Sequence, residues 1–117
     1  MFFPGKSVQV YLATGATDMR KSIDSLAILV ADRLDLNPLS GYLFCFCNRK
    51  KDMVKILYWD RNGFCLWHKR LEKDRFRWPQ SEGEVVATDG RQLSWLLEGL
   101  SLTEGTNHRQ LSYATAT

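Results

Sequence analysis

Residues 42–79, YLFCFCNRKKDMVKILYWDRNGFCLWHKRLEKDRFRWP, decide how this chain is read. Four short apolar runs, YLFCFC, MVKILYW, FCLWHKRL and RFRW, mix aromatic, aliphatic and β-branched residues, which suits a pleated surface. Polar and charged connections separate them at residues 48–52, 60–63 and 72–74. Asn62-Gly63 is a strong hairpin signal, because both residues tolerate the positive φ of a primed turn. The stretch predicts an antiparallel β-meander.

Side-chain alternation extends that reading. An even-numbered loop at Asn62-Gly63 puts Val54, Ile56 and Tyr58 on one face with Cys65, Trp67 and Leu71. Lys55, Leu57 and Trp59 then share the other face with Phe64, Leu66, His68 and Arg70. The first face is the expected core, beneath the longer helix, and the second is mixed. A four-residue loop over residues 72–75 sends Phe76 and Trp78 to the core and Arg77 to the mixed face beside Arg70. A three-residue loop would bury the arginines.

Outward from the meander, SVQVYLA (residues 7–13) alternates as a half-buried strand, and Thr14-Gly15-Ala16 breaks it. Thr17 can then cap a helix running to residue 34, with Met19, Ile23, Leu26, Ala27, Val30 and Leu34 on one face. Asn37-Pro38 stops it. After Pro79, residues 84–87 read as a short strand, and Thr88 or Asp89 caps a second helix bearing Leu93, Leu96, Leu97 and Leu100. Residues 105–117 are small, polar and aperiodic, a flexible tail on a domain spanning 1–104. The expected fold is a single α+β domain: a twisted antiparallel sheet of four to five strands, packed against one long and one short helix.

Charge is concentrated in the same stretch. The 117 residues carry a net +3, but residues 49–78 hold ten Lys or Arg against four acids, so the remainder is net acidic. A localised basic field suits a polyanion. The expected phosphate contacts are Arg49, Lys50 and Lys51 at one hairpin tip, Arg61 at the other, and Lys55, Arg70 and Arg77 across the mixed face. Trp59 and His68 on that face form the expected partner interface, since Trp is a common binding anchor. The plainer alternative is a solvated face whose basic residues discourage edge pairing.

Other chemistries find less support. Asp18 and Asp24 would point to different sides of a helix, and Asp60 in a turn supports its own backbone, so no metal-dependent catalysis and no cofactor are expected. Cys65 and His68 fall on opposite faces, and Cys45-x-Cys47 lacks knuckle geometry, which argues against zinc or a Cys–His nucleophile. The three cysteines read as reduced, mostly buried thiols. His108 lies in the tail and carries no signal. Thr14-Gly15-Ala16-Thr17 could offer free N–H groups to a phosphate, but a plain helix cap is the simpler reading. No apolar run approaches the ~20 residues that span a bilayer, and MFFPGK lacks a signal-peptide core. The protein is expected in the cytoplasm, without a membrane partner.

These residues carry a family resemblance. Val10-Tyr11-Leu12, Thr17-Asp18-Met19-Arg20-Lys21, Asn48-Arg49, Lys55-Ile56-Leu57-Tyr58-Trp59-Asp60, Lys69-Arg70-Leu71-Glu72 and Phe76-Arg77-Trp78-Pro79 follow one another in an order that resembles the TnpB-type accessory proteins of the IS-sixty-six (IS66) insertion sequences. The likeness covers roughly residues 7–100. Ser25 and His68 stand where it leads one to expect Gly and Tyr. It implies a small non-enzymatic protein, encoded beside a larger transposase, that assists transposition. Together with the charge it leads to an accessory protein that contacts DNA, with low sequence specificity, or a transposase–DNA complex. The rival is an adaptor that binds the cognate transposase without touching DNA.

Overall fold

The hairpin at the centre of the stretch sets the register of everything around it. In the computed structural model, which describes residues 8–81 and 83–102, strands β3 (Met53–Asp60) and β4 (Gly63–Arg70) pair antiparallel from Asp60↔Gly63 to Met53↔Arg70. The two turn residues are Arg61 and Asn62, with Arg61 at φ 53°. The turn thus lies one residue earlier than Asn62-Gly63, and Gly63 begins the ladder. Both placements leave a two-residue loop, so the expected side-chain alternation is kept: Ile56 faces Trp67 and Leu57 faces Leu66.

β2 (Leu43–Cys47) pairs antiparallel with β3, while β1 (Gln9–Ala16) lies parallel to β2 and antiparallel to β5 (Val85–Asp89). The order is β4-β3-β2-β1-β5. The α+β class and single sheet stand, but the sheet is mixed where an antiparallel one was expected. The cause is the connection. Two strands joined by a tight turn must run antiparallel, whereas residues 17–42, containing helix α1 (Ile23–Asp32), carry the chain back to its starting end.

Both faces of the sheet are covered. β2 reads LFCFC and is buried at every position, the signature of a strand with a core on each side. On one side Leu26, Val30 and Leu34 pack on Phe44, Phe46 and Leu57, with Phe64 and Leu66 beside them. On the other, Leu93, Leu96 and Leu97 of helix α2 (Gly90–Leu97) join Phe76 and Trp78 over Val10, Leu12, Cys45, Val54 and Ile56. The face expected beneath the longer helix therefore lies beneath α2 and residues 76–78. α1 covers the mixed face, whose central leucines make a second core.

Three local expectations shift for identifiable reasons. α1 starts at Ile23 rather than near Thr17, because Thr17 N–H continues the ladder to Cys47 O (2.8 Å) and the Asp18 carboxylate accepts from Arg20 N–H (2.9 Å). An Asp that bonds its backbone two residues on offers the chain a turn in place of a helix. The run RFRW forms no strand. Its side-chain alternation holds, with Phe76 and Trp78 buried and Arg77 exposed. It is tied to the sheet by Phe76 N–H to Lys51 O (2.7 Å) and by the Trp78 indole N–H to Ala13 O (2.7 Å). Thr14-Gly15-Ala16 is an irregular extension of β1, with the register shifting between Leu12 and Ala16. At α2 the expected cap is present: Asp89 accepts from Gln92 N–H at 2.9 Å. Leu100 falls beyond the helix, and the expected tail lies outside the described residues.

Candidate nucleic-acid interface

The β2–β3 connection is built by one side chain. Asn48 Oδ1 accepts from the N–H groups of Asp52 and Met53, each at 3.1 Å, and its Nδ2 donates to Asp52 Oδ1 at 2.7 Å. Lys51 N–H donates to Asn48 O (3.1 Å), with Lys51 in the left-handed region at φ 61°. This closed turn holds Arg49 and Lys50 out in solvent, while Lys51 is half-buried. Neither Arg49 nor Lys50 has an acidic partner among the described residues. Two exposed cations on a hydrogen-bonded turn can meet phosphates.

The other expected contacts are scattered. Arg61 lies at the opposite end of the eight-residue β3, roughly 27 Å away along the strand. Lys55 projects from β3 towards α1, and its ammonium donates to Met19 O and Lys21 O, each at 2.8 Å. That bond joins two segments of the family likeness, residues 17–21 and 55–60. The loop it anchors is further braced by the Arg20 guanidinium on Asp18 (2.7 Å), which holds the Asp18 carboxyl down at about 2. Arg70 pairs with Glu72 at 3.0 Å in solvent. Arg77 is exposed and shares a surface depression with Lys73, Asp74, Arg75 and Glu98. Lys55 and Arg70 share the mixed face, but each is already engaged, Lys55 by Met19 O and Lys21 O and Arg70 by Glu72. His68 is exposed opposite Lys55, and Trp59 is half-buried at the far end, edge-on to Phe64 with ring centres 5.1 Å apart.

Beside the tip opens a cleft of about 490 Å³, at the carboxyl ends of the parallel strands β1 and β2. Residues 13–17, 47–49 and 78–81 form its walls, joined by Lys51, Gly83, Glu84, Leu29, Arg33 and Leu34. Arg33 Nε donates to Glu84 Oε1 at 3.1 Å. Sequence reading missed Arg33, because only the parallel return of the chain brings the end of α1 over the end of β1. Thr14–Thr17 neither caps α1, whose N-cap is Ser22, nor leaves these amides open to a phosphate: Thr14 N–H is used by Glu84 O (3.1 Å) and Thr17 N–H by Cys47 O.

The thiols are quiet. Burial pushes Cys47 up to about 12 and Cys45 further still, and Cys65 is half-buried on the face opposite His68. Among the described residues no three His, Cys, Asp or Glu side chains gather as metal ligands. No helix there is long and apolar enough to cross a membrane.

Residues 8–107 match the family described as IS66 Orf2-like protein. The chain belongs to the IS66 Orf2-like family. That places it among insertion-sequence accessory proteins, a family not known as catalytic. The IS66 Orf2-like chain is 47% identical over 96 residues to the uncharacterized protein y4hO of Sinorhizobium fredii, covering 82% of this chain and 84% of that protein. It is 29% identical over 103 residues to the uncharacterized protein y4jC of the same organism, covering 88% of each. No solved structure matches it at a significant level.

Proposed function

We propose that this protein is a non-catalytic accessory factor that contacts DNA, alone or within a transposase–DNA complex, through the basic tip between β2 and β3. The observation that carries the reading is the Asn48 clamp, which holds Arg49 and Lys50 exposed and free of acidic partners among the described residues. Phosphate contacts of this kind fix position without reading bases, so binding is weakly dependent on sequence. Lys51 and Arg61 add to the field. Arg70 and Arg77 are secondary, and Lys55 serves the 17–21 loop. The reading places the protein in the cytoplasm, with the element's DNA.

A second reading rests on a different surface. Leu39 and Tyr42 are exposed, Tyr42 lies 5.8 Å from the Tyr11 ring, and half-buried Trp59 lies at the same end of the sheet. This aromatic end suits an adaptor that grips the transposase. One comparison separates the two. Arg49→Gln with Lys50→Gln should weaken DNA binding and leave direct transposase capture intact; Trp59→Ala should do the reverse. Loss of DNA binding in neither variant would remove the tip from the mechanism.

A further inference from the structure

We propose that the cleft at the carboxyl ends of β1 and β2 is a nucleotide site, taking one nucleoside monophosphate unit with its phosphate towards Arg33, Arg49 and Lys51. The proposal deepens the DNA-contact reading but does not need it, because the ligand can be a strand terminus or a free nucleotide.

Four features meet there. The position is a crevice outside the carboxyl ends of the parallel pair β1 and β2. At about 490 Å³ the cleft falls within the roughly 300–1,000 Å³ of small-molecule sites, room for a nucleotide and too little for a duplex. Its described lining carries three cations, Arg33, Arg49 and Lys51, against the single carboxylate of Glu84. The apolar remainder, including Leu29, Leu34 and Pro79, offers a base or sugar a dry surface.

Arg33 is the most informative residue. Glu84 takes its Nε–H and thereby sets the plane of the guanidinium at the cleft mouth. The two η nitrogens donate to no other group among the described residues, leaving a fork of the kind that grips phosphate. Nη2 stands 3.9 Å from where a Cβ on Gly15 would lie. The φ of Gly15 is not in the left-handed region, so the position does not require glycine. Alanine there would make only ordinary contact, while the branches of valine would enter the cleft. Gly15→Val therefore fills the site without removing a charge, in strand geometry that valine favours.

The test is an ¹⁵N NMR titration of the full chain with deoxyadenosine 5′-monophosphate, inorganic phosphate, and a short single-stranded oligonucleotide with or without a 5′-phosphate. The expected result is saturable movement of the Gly15 and Gly83 amides and the Trp78 indole, with phosphate at least threefold weaker than the nucleotide. Gly15→Val and Arg33→Gln should each weaken it at least tenfold, with the remaining spectrum folded. Movement with the 5′-phosphorylated oligonucleotide identifies a strand end as the source; movement with the mononucleotide alone identifies a free nucleotide. Gly15, Gly83 and Trp78 signals that stay still while the Lys50 amide moves would overturn the site and leave the DNA-binding tip standing. Cleft binding of the nucleotide without any DNA binding would uphold the site and overturn the tip. Equal affinity for phosphate and nucleotide would overturn the nucleotide assignment.

Discussion

Lys55→Met separates a structural role from a DNA-contacting one at a residue whose charge alone suggests the latter. The Lys55 ammonium lies 2.8 Å from both Met19 O and Lys21 O, one bond part-buried and the other exposed. Methionine keeps the unbranched stem along the sheet and removes the charge and three donors. A hydrogen bond from a charged group contributes about 1.5–3 kcal/mol when buried. Solvent can replace the exposed one, so the pair together should contribute about 2 kcal/mol. For a domain of this size that corresponds to a fall in Tm on the order of 10 °C. Urea denaturation followed by tryptophan fluorescence, with thermal unfolding by circular dichroism, measures both. The variant should still bind DNA with the wild-type salt dependence at temperatures where it is folded. Stability within about 0.5 kcal/mol of wild type, combined with weaker DNA binding and a shallower salt slope, would refute the reasoning and return Lys55 to the phosphate-contacting set.

Trp78→Phe removes the indole donor to Ala13 O (2.7 Å) while keeping a buried ring, and should cost about 1–3 kcal/mol by leaving that carbonyl unpaired; an unchanged urea midpoint would contradict it. Of the three thiols, only half-buried Cys65 should react quickly with a thiol reagent at pH 8, and all three after unfolding, since Cys45 and Cys47 are buried and Cys47 stands at about 12. Three fast thiols in the native protein would show the core to be open. The Asp18 carboxyl, lowered from 3.8 to about 2 chiefly by its hydrogen bond from Arg20, is depressed in the folded state. Its support for the 17–21 loop is therefore fully present above pH 3.8 and lost as pH falls through about 2. Carboxyl-carbon NMR should find that midpoint, and Arg20→Ala should return it towards 3.8.

Much of the fold could be read from local pattern, and the misreadings share one origin. The β3–β4 register followed from side-chain alternation, because any two-residue loop near Asn62 gives the same faces. The burial of Phe76 and Trp78 followed from the same alternation, although that run pairs with no strand. What local pattern could not supply was the path of the chain through α1. The mixed face looked solvent-facing because Lys55, His68 and Arg70 punctuate it, yet Leu57, Leu66 and Phe64 between them pack beneath that helix. Once α1 lies there, β1 and β2 run parallel, Arg33 meets Glu84, and a cleft forms that no short motif announces. The basic tip was legible as charge. The Asn48 clamp beneath it was not, because its three hydrogen bonds to Asp52 and Met53 depend on geometry that appears only in the folded turn.

The most direct test of the central claim is a fluorescence-anisotropy titration of labelled double- and single-stranded DNA, including the element's terminal repeats, across a salt series. With Arg49, Lys50 and Lys51 each meeting a phosphate, log affinity for duplex should fall against log salt with a slope of about −2 to −3. Arg49→Gln with Lys50→Gln should reduce that slope by about 2. No binding at low salt, or a slope the double variant leaves unchanged, would contradict a DNA-contacting tip.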